Sequence, residues 1–312
     1  MNNTNPTTAI RNNMKNPIYN DIKRKIHYDI KTQIHNFYVA NGIAYKDCED
    51  PEDVILDFFT YLMKFISVKK RNVLFSNKLI DEMTSGDMPA EVKHILNKYK
   101  RLFEEGENMN VFLSDKTSGI RKPDYLMYTW KLYHLHMCDV EGRGALSKKN
   151  TRSDKLLLCI VNTHINEICF VDYIDHPSKP GDFFDLRLLK IIIENGWIEK
   201  IGFAEVPGMV PGSLNPKITD GDDIFELYSK GKMNAMFELD GKGYGSMEPL
   251  SSSRHPYRAV KQLTRINRNI SRLSAKVKEY KGLEIVVGTD NCLHSIVSYV
   301  NNDDKVMKCD IF

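Results

Sequence analysis

The sequence predicts an α+β fold in which helical and strand-forming segments follow one another along the chain. Over residues 17–106 the apolar residues recur at intervals of three and four, which is the helical period. From about residue 123, short runs rich in aromatic and β-branched residues replace that pattern, and such runs are typical of strands. Residues 255–280 then predict one long helix that is basic on one face and apolar on the other.

Composition sets the class of protein before any motif is considered. Apolar residues make up 42% of the 312 residues and charged residues 27%, with 18 Gly and 12 Pro. These values exclude a disordered or collagen-like chain and are typical of a globular protein, which at this length usually divides into about two domains. The formal net charge of only +3 does not, for the chain as a whole, indicate a nucleic-acid-binding protein.

The N-terminal part is predicted to be helical after a short tail. Residues 1–16 are rich in Asn and Thr and are predicted to be a flexible tail. Pro17 suits the first turn of a helix, and Gly42 suits its end. The apolar stripe of this helix is formed by Ile18, Ile22, Ile26, Ile30, Ile34 and Phe37. Further helices are predicted beyond it, which gives a helical region over residues 17–115.

The central part, residues 116–206, is predicted to be a small antiparallel sheet with one helix. The predicted strands are 125–138, 155–161 and 168–174. A polar loop over 139–154 connects the first two strands as a long hairpin, and the aromatic residues of the first strand are expected to lie in the core. A buried helix is predicted over 184–193 and ends at Gly196.

Residues 207–312 are predicted to form a third, α/β region that contains the long basic helix. A stretch rich in Pro and Gly, 206–222, predicts a loop or a domain junction. The strands predicted in this region are 224–228, 235–238, 283–287, 295–300 and 306–312. The Gly-Lys-Gly-Tyr-Gly segment at 241–245 predicts a hairpin turn.

The sequence predicts a cytoplasmic protein. Its first sixteen residues contain no apolar segment of the kind a signal peptide needs. The longest unbroken apolar run, 156–161, is far shorter than the roughly 18–20 residues that cross a bilayer. The six cysteines form no CxxC pair, which favours buried, reduced thiols over disulfides or a zinc site.

The long basic helix is the strongest functional signal in the sequence. From Arg254 to Lys281 the chain carries nine basic residues and one acidic residue, a net charge of +8. At about 100° per residue, seven of the cations fall within an arc of roughly 80°. They are Arg254, Arg258, Lys261, Arg265, Arg268, Arg272 and Lys276. This face predicts a track for the phosphate backbone of nucleic acid, because the guanidinium group of Arg can bind a phosphate at two points.

Three alternatives to a nucleic-acid track stay open for this helix. The segment 201–250 holds eight acidic and four basic residues, so its carboxylates could cover the basic face. An acidic partner protein could occupy the same face. A membrane surface is disfavoured, because the apolar side of the helix consists of Leu, Ile and Val without the Trp or Phe typical of insertion.

A second candidate site lies in the first predicted strand of the central region. His134 and His136 point to the same face of that strand, and His176, at the end of the third strand, could converge on the same edge. Two imidazoles on one face suit general acid–base chemistry, part of a metal site or a purely structural role. No carboxylate-rich motif completes a metal site. The cations near these histidines in the sequence are Lys131, Arg143 and Arg152.

The order of a basic loop, three strands and a helix over residues 116–200 resembles the RelE-like bacterial toxins. The strings that carry the resemblance are Tyr-Thr-Trp-Lys-Leu-Tyr-His-Leu-His at 128–136, Leu-Leu-Leu-Cys-Ile-Val at 156–161 and Ile-Cys-Phe-Val-Asp-Tyr-Ile-Asp-His at 168–176. The resemblance implies mRNA cleavage on the ribosome by Lys, Arg, His and Tyr side chains without a metal, and an antitoxin as partner. The whole chain is also similar to large bacterial proteins that carry a His-Leu-His strand. It is much longer than RelE-like proteins, with helices before the sheet and an α/β region after it.

Two functions from different classes follow from these features. The first is a metal-independent ribonuclease, toxin-like or related to defence, that needs no cofactor. Its predicted catalytic residues are His134, His136, His176, Lys131, Arg143 and Arg152. The second is a non-catalytic nucleic-acid-binding or regulatory protein that uses the basic helix 254–276. In both, RNA is expected in preference to DNA, an antitoxin or another protein is a further candidate partner, and no membrane is involved.

Overall fold

The computed structural model confirms the α+β class, since helices and small sheets are both present. It describes residues 17–114, 117, 119–139, 153–162, 165–210, 212–214, 218–231, 236–248, 255–274, 276–287, 293–301, 303 and 305–312. The predicted tail, 1–16, and most of the predicted loop 139–154 lie outside these residues.

The described helices and strands are named here in chain order. The helices are α1 (Pro17–Ala40), α2 (Pro51–Leu62), α3 (Asn77–Ser85), α4 (Ala90–Glu105), α5 (Tyr125–Trp130), α6 (Leu186–Glu194), α7 (Gly221–Ser229) and α8 (Tyr257–Ser274). The strands are β1 (Asn72–Phe75), β2 (Leu132–His136), β3 (Lys155–Asn162), β4 (Glu167–Asp175), β5 (Phe203–Glu205), β6 (Phe237–Leu239), β7 (Lys242–Ser246), β8 (Val277–Val287), β9 (Leu293–Asn301) and β10 (Val306–Cys309). Short 3-10 turns lie at Met109–Phe112, Pro180–Phe184 and Ile198–Ile201.

The chain divides into two compact units that differ from the three consecutive regions expected from the sequence. One, called the terminal unit, combines Met1–Leu62 with Arg258–Phe312. The other, called the central unit, is Met63–Tyr257. The two ends of the chain belong to one unit because α1 packs against β8, although the two segments are far apart in the sequence.

The terminal unit is built on the apolar stripe that the sequence predicts for α1. Ile22, Ile26, Ile30 and Ile34 are all buried. Polar contacts then join α1 to the C-terminal segment: His27 Nε2 lies 2.8 Å from Asn267 Oδ1 on α8, and the Tyr280 hydroxyl donates to Asp29. The stripe supplies the apolar burial, and these polar contacts align α1 with α8 and β8.

The prediction that the long helix runs to residue 280 is wrong. Helix α8 ends at Ser274, and Val277 begins β8, which pairs antiparallel with β9. In the sequence, the charged residues of β8 are spaced like those on the exposed side of a helix. Its eleven residues nevertheless gain a ladder of hydrogen bonds with β9, which continues into β10. Tertiary pairing of this kind often overrides helix propensity.

The central unit is organised by a four-stranded sheet with the order β1-β4-β3-β2. Strands β2, β3 and β4 are antiparallel neighbours, as predicted, but β1 is parallel to β4, so the sheet is mixed. Leu157 and Cys159 of β3 face the helix α4, whereas Leu158 and Ile160 face α6. Both faces of the sheet are therefore covered, which explains why its strands read as unbroken apolar runs.

Strand β1 interrupts the region predicted to be entirely helical. It consists of the four residues Asn72–Phe75 and pairs with Glu167–Phe170 of β4. Ser76 then caps α3, because its hydroxyl oxygen accepts a hydrogen bond from the Leu79 amide. A run of four residues is too short for a periodicity to distinguish strand from helix, so only the partner β4 identifies it.

The first predicted strand is also partly wrong, because residues 125–130 form the short helix α5. Asp124 starts this helix by accepting a hydrogen bond from the Met127 amide at 3.1 Å, and Lys131 ends it with a φ of 53°. Trp130 consequently does not lie in line with His134 on a strand. It is buried with its ring 5.2 Å from that of Phe184, so it belongs to the core as expected.

Two further expectations for the central unit need correction. Residues 224–228, predicted to be a strand, belong to α7, which Asp220 caps by accepting from the amides of Asp222 and Asp223. Only Asp240 and Gly241 form the predicted hairpin turn, between β6 and β7, while the residues that follow Gly241 are strand. A helix cap decides the structure in the first case, and a two-residue turn decides it in the second.

A buried lysine ties the turn after α2 to the segment that leads into α5. Lys64 is only 2% exposed, and its ammonium group donates to the carbonyl oxygens of Gly119, Ile120 and Lys122 at 2.7, 3.3 and 2.6 Å. A buried charge is tolerated when its donors are all used in this way. Lys64 thereby fixes the backbone just before Asp124, the cap of α5.

We predict that Lys64→Met lowers the free energy of unfolding of the central unit by about 2–3 kcal/mol, because it leaves carbonyl groups without a charged donor. Urea unfolding followed by tryptophan fluorescence measures this. Both tryptophans, Trp130 and Trp197, lie in the core of the central unit. Lys70→Met at an exposed position removes the same charge and is the control. Equal losses of stability in the two variants would refute the role given to Lys64.

Candidate functional site

The basic side of α8 is exposed from Lys261 to Arg272. Lys261, Arg265, Arg268, Arg272 and Lys276 are all exposed, although Lys276 follows the end of the helix. The opposite side is held in the core by Ala259, Ile266, Ile270 and Leu273. This anchoring fixes the rotation of α8 and keeps the cations directed to solvent. We call these five cations the basic face.

The predicted cations at the start of this helix are placed differently. Arg254 lies outside the described residues. Arg258 is half-buried and engaged in another interaction, so it does not belong to the basic face. Arg265 donates to the carbonyl oxygen of Phe312, which holds its guanidinium group on the surface. Among the described residues, no salt bridge joins a carboxylate to Lys261, Arg268 or Arg272.

The acidic residues of segment 201–250 are engaged inside the central unit. Five of its eight carboxylates form ion pairs there: Glu205 with Lys242, Asp222 with Lys179, Glu226 with Lys230, Asp240 with Lys190 and Glu248 with Lys131. The other three accept hydrogen bonds: Asp220 at the start of α7, Asp223 from Thr219 and Glu238 from Gly212. Each of these acids therefore already has a partner within its own unit.

Two of the three predicted histidines come together at one end of the central sheet. The rings of His136 and His176 stack, with centroids 5.7 Å apart and planes inclined by 25°. His136 ends the edge strand β2, and His176 follows β4, where its amide donates to the carbonyl of Asp154. The two rings meet because β2 and β4 flank the central strand β3.

The environments of these two rings differ. His136 is only 9% exposed, and its Nδ1 lies 3.2 Å from the carbonyl oxygen of Ser153. Burial lowers the pKa of His136 below its ordinary value, the Ser153 contact opposes that shift, and neighbouring His134 and His176 add to it. His176 is exposed at the surface. A pair of like groups in unequal surroundings is the usual arrangement for separate acid and base roles.

His134 is half-buried, which makes it less enclosed than His136. Its ring lies 5.3 Å from that of Phe183, and its Nδ1 is 3.9 Å from an oxygen of Asp124. That nitrogen is buried and has no hydrogen-bond partner among the described residues. The side chain of His134 is 12% exposed.

Of the three predicted cations, Lys131 does not join the histidines in the described structure. Lys131 lies at the start of β2, about 17 Å along the strand from His136 at its end. Its ammonium group pairs with Glu248 at 2.9 Å, which suits a structural role. Arg143 and Arg152 lie outside the described residues, so their predicted role stays a prediction.

A cleft of about 860 Å³ opens beside His176 at the carboxyl ends of the parallel strands β1 and β4. Ligands commonly bind at this edge of an open α/β sheet. The charged residues that line it are Lys78, Lys155, Lys179, Arg187, Asp172, Asp175, Asp182, Asp185, Asp220 and Asp222. Carboxylates thus outnumber cations, which disfavours a polyanion inside the cleft and leaves the rim at His176 as the accessible part.

Sequence analysis missed the most buried charge of this cleft, Asp172. It is 8% exposed and accepts from Lys78 at 2.7 Å. Burial raises the pKa of Asp172, and the bond from Lys78 only partly offsets this. A bulge at Val171 shifts the register of β4 just before it and re-aims the strand, as bulges near sites often do. An acid inside the apolar run 168–174 was the available signal.

No known protein supplies an identity for these features. The chain matches no protein family, no curated protein and no solved structure. Within the part of the chain that the structure describes, no three His, Cys, Asp or Glu side chains form a group able to hold a metal ion. None of the helices described there has the length and apolar character needed to cross a membrane.

We predict that His136 makes the central unit less stable as the pH falls. Its pKa is lowered in the folded protein and returns to about 6.5 in the unfolded chain, so the unfolded chain gains the proton first. Between about pH 7.5 and 5.5 the wild type should therefore lose more stability than His136→Gln does. Urea unfolding followed by tryptophan fluorescence measures this loss. His94→Gln, at an exposed position, is the control, and identical pH profiles for wild type and His136→Gln would contradict the prediction.

Proposed function

We propose that the protein binds nucleic acid through the basic face of α8. The observation that carries the proposal is the exposure of five cations, four on one side of α8 and Lys276 just after its end, while the other side of the helix is anchored in the core. Lysine and arginine in such an array attract phosphate and release counterions from the nucleic acid, which drives binding. The engagement of the eight acids of 201–250 within the central unit supports the proposal.

The spacing along α8 supports the same function. Successive cations are three or four residues apart, which corresponds to about 4.5–6 Å along the helix axis. Lys261, Arg265, Arg268 and Arg272 therefore present charge at regular intervals over about 16 Å. A regular row of this kind suits a repeating anion such as the phosphate backbone. RNA in preference to DNA, a cytoplasmic location and a bacterial source remain expectations from the sequence.

We predict that the double variant Arg268→Glu/Arg272→Glu weakens binding to RNA by about tenfold or more at moderate salt, because two attractive interactions with phosphate become repulsive. The slope of log Kd against log salt should fall by about 2, or roughly one for each phosphate that is no longer neutralised. Fluorescence anisotropy with a labelled RNA over a series of salt concentrations measures both quantities.

The matched control is Lys70→Glu/Arg101→Glu, which makes the same change of net charge at exposed positions of the central unit. This control should bind RNA within about twofold of the wild type, because its cations lie outside the basic face. If the two double variants lose affinity equally, net charge governs binding and the basic face is not the site. Arg265 is left intact because it also holds the Phe312 carbonyl.

A second candidate function is metal-independent cleavage of RNA at the histidine pair, for which the stacked rings of His136 and His176 are the specific support. In this reaction the buried, neutral His136 would take the proton of the ribose 2′-hydroxyl as its oxygen attacks phosphorus. The exposed His176 would donate a proton to the 5′-oxygen as the P–O5′ bond breaks, which leaves a 2′,3′-cyclic phosphate. The resemblance of 116–200 to RelE-like toxins favours the same chemistry, and an antitoxin partner belongs to this candidate.

For this candidate we predict that the purified protein cleaves RNA in the presence of a metal chelator. His136→Ala and His176→Ala should each lower the rate by about 100-fold or more, as the loss of an acid or base usually does. His35→Ala, at an exposed position in the terminal unit, is the control. The measurement is gel analysis of a defined RNA, with and without ribosomes. Intact RNA in both arms would eliminate the candidate.

A further inference from the structure

Apart from Tyr257 in its first turn, the described surface of α8 contains no aromatic side chain on which a base could stack. The exposed residues of the helix, apart from Tyr257 in its first turn, are Lys261, Gln262, Thr264, Arg265, Arg268 and Arg272. All of them are polar and none is aromatic. Proteins that bind single strands usually combine a basic groove with aromatic side chains that stack on the unpaired bases. Between Lys261 and Arg272 this face therefore offers cations for phosphates and no side chain for stacking.

The charge density of the face matches that of a double helix. A duplex carries one phosphate per about 3.4 Å of axis on each strand, or one per about 1.7 Å when both strands are counted. The roughly 16 Å between Lys261 and Arg272 thus spans about five phosphates of one strand. An extended single strand without stacking partners has a lower charge density and loses more conformational freedom when it is bound.

The face is also held rigid, which favours a rigid ligand. Asn269 donates to the Ile311 carbonyl at 3.1 Å, next to the bond from Arg265 to Phe312. On the buried side, Ile266 and Ile270 are fully enclosed. A helix fixed on both sides presents its cations in a constant row, and it loses little conformational entropy when it meets an equally regular row of phosphates.

We infer that the ligand of the basic face is double-helical nucleic acid, bound through its phosphates without selection of base sequence. This inference rests on the proposed function and adds the class of ligand to it. Phosphate contacts position a protein on a duplex but carry no sequence information. Apart from the cations and Tyr257, the exposed side chains of α8 are only Gln262 and Thr264, so few groups besides the cations are available to select a base sequence.

The test uses the full chain and three labelled probes of about 20 nucleotides or base pairs: an RNA duplex, one of its strands alone, and a duplex of unrelated sequence. Fluorescence anisotropy at one salt concentration compares their affinities. The first duplex should bind at least about fivefold more tightly than its single strand, and the two duplexes should agree within about twofold. Arg268→Glu/Arg272→Glu should weaken both duplexes by the same factor. Tyr257→Ala should leave all three affinities within about twofold of wild type.

The outcomes distinguish a failure of this inference from a failure of the proposed function. Equal or tighter binding of the single strand, or a preference of about tenfold or more for one duplex sequence, overturns the inference and leaves nucleic-acid binding intact. A large loss of single-strand binding in Tyr257→Ala also overturns it, because stacking would then contribute. If none of the three probes binds, both the proposed function and this inference are refuted.

Discussion

The parallel pairing of β1 with β4 is the contact on which the central unit depends. It joins Asn72–Phe75 to Glu167–Phe170, segments nearly a hundred residues apart, and it directs both strands to end at the same edge of the sheet. Helix α3 begins at that edge, so Lys78 reaches Asp172 there. The same edge carries His176 at the end of β4, and the cleft opens beside it. Without this pairing the charged residues of the cleft would not be brought together at one edge of the sheet.

Charge is distributed in two different ways in the two units. In the central unit the acids of 201–250 are paired or cap helices, so positive and negative groups cancel over short distances. In the terminal unit the cations of α8 stand on one face, and their net charge reaches solvent. The net charge of +3 is therefore the sum of a central unit with 27 basic and 27 acidic residues, a charge of +5 on α8, and a net charge of −2 over the rest of the terminal unit. Binding to a polyanion depends on the local field of that helix and not on the sum.

The two candidate functions rely on separate parts of the molecule. The basic face needs only the position of α8, which its apolar side determines through burial of Ile266, Ile270 and Leu273. The histidine pair needs the edge of the central sheet and the unequal burial of His136 and His176. Nucleic-acid binding is argued from exposure and charge, whereas catalysis is argued from the contact of two rings. An experiment can therefore refute either function and leave the other one intact.

The sequence by itself determined the α+β class, the isoleucine stripe of α1, the strands β3 and β4, and the basic and apolar sides of α8. Each is a local pattern: a repeat of three to four residues in the helices and an unbroken apolar run in the strands. It also predicted that His176 could approach the edge that carries His136. Only the tertiary structure decided that β1 and β8 are strands, that 224–228 is helical, and that Asp172 and Lys78 meet in a cleft. These features depend on partners far away in the chain or on single capping residues such as Asp220, and a local pattern contains no information about a distant partner. For the same reason, the sequence could show that acidic and basic segments both exist, but only the packed structure could show which cations the acids neutralise.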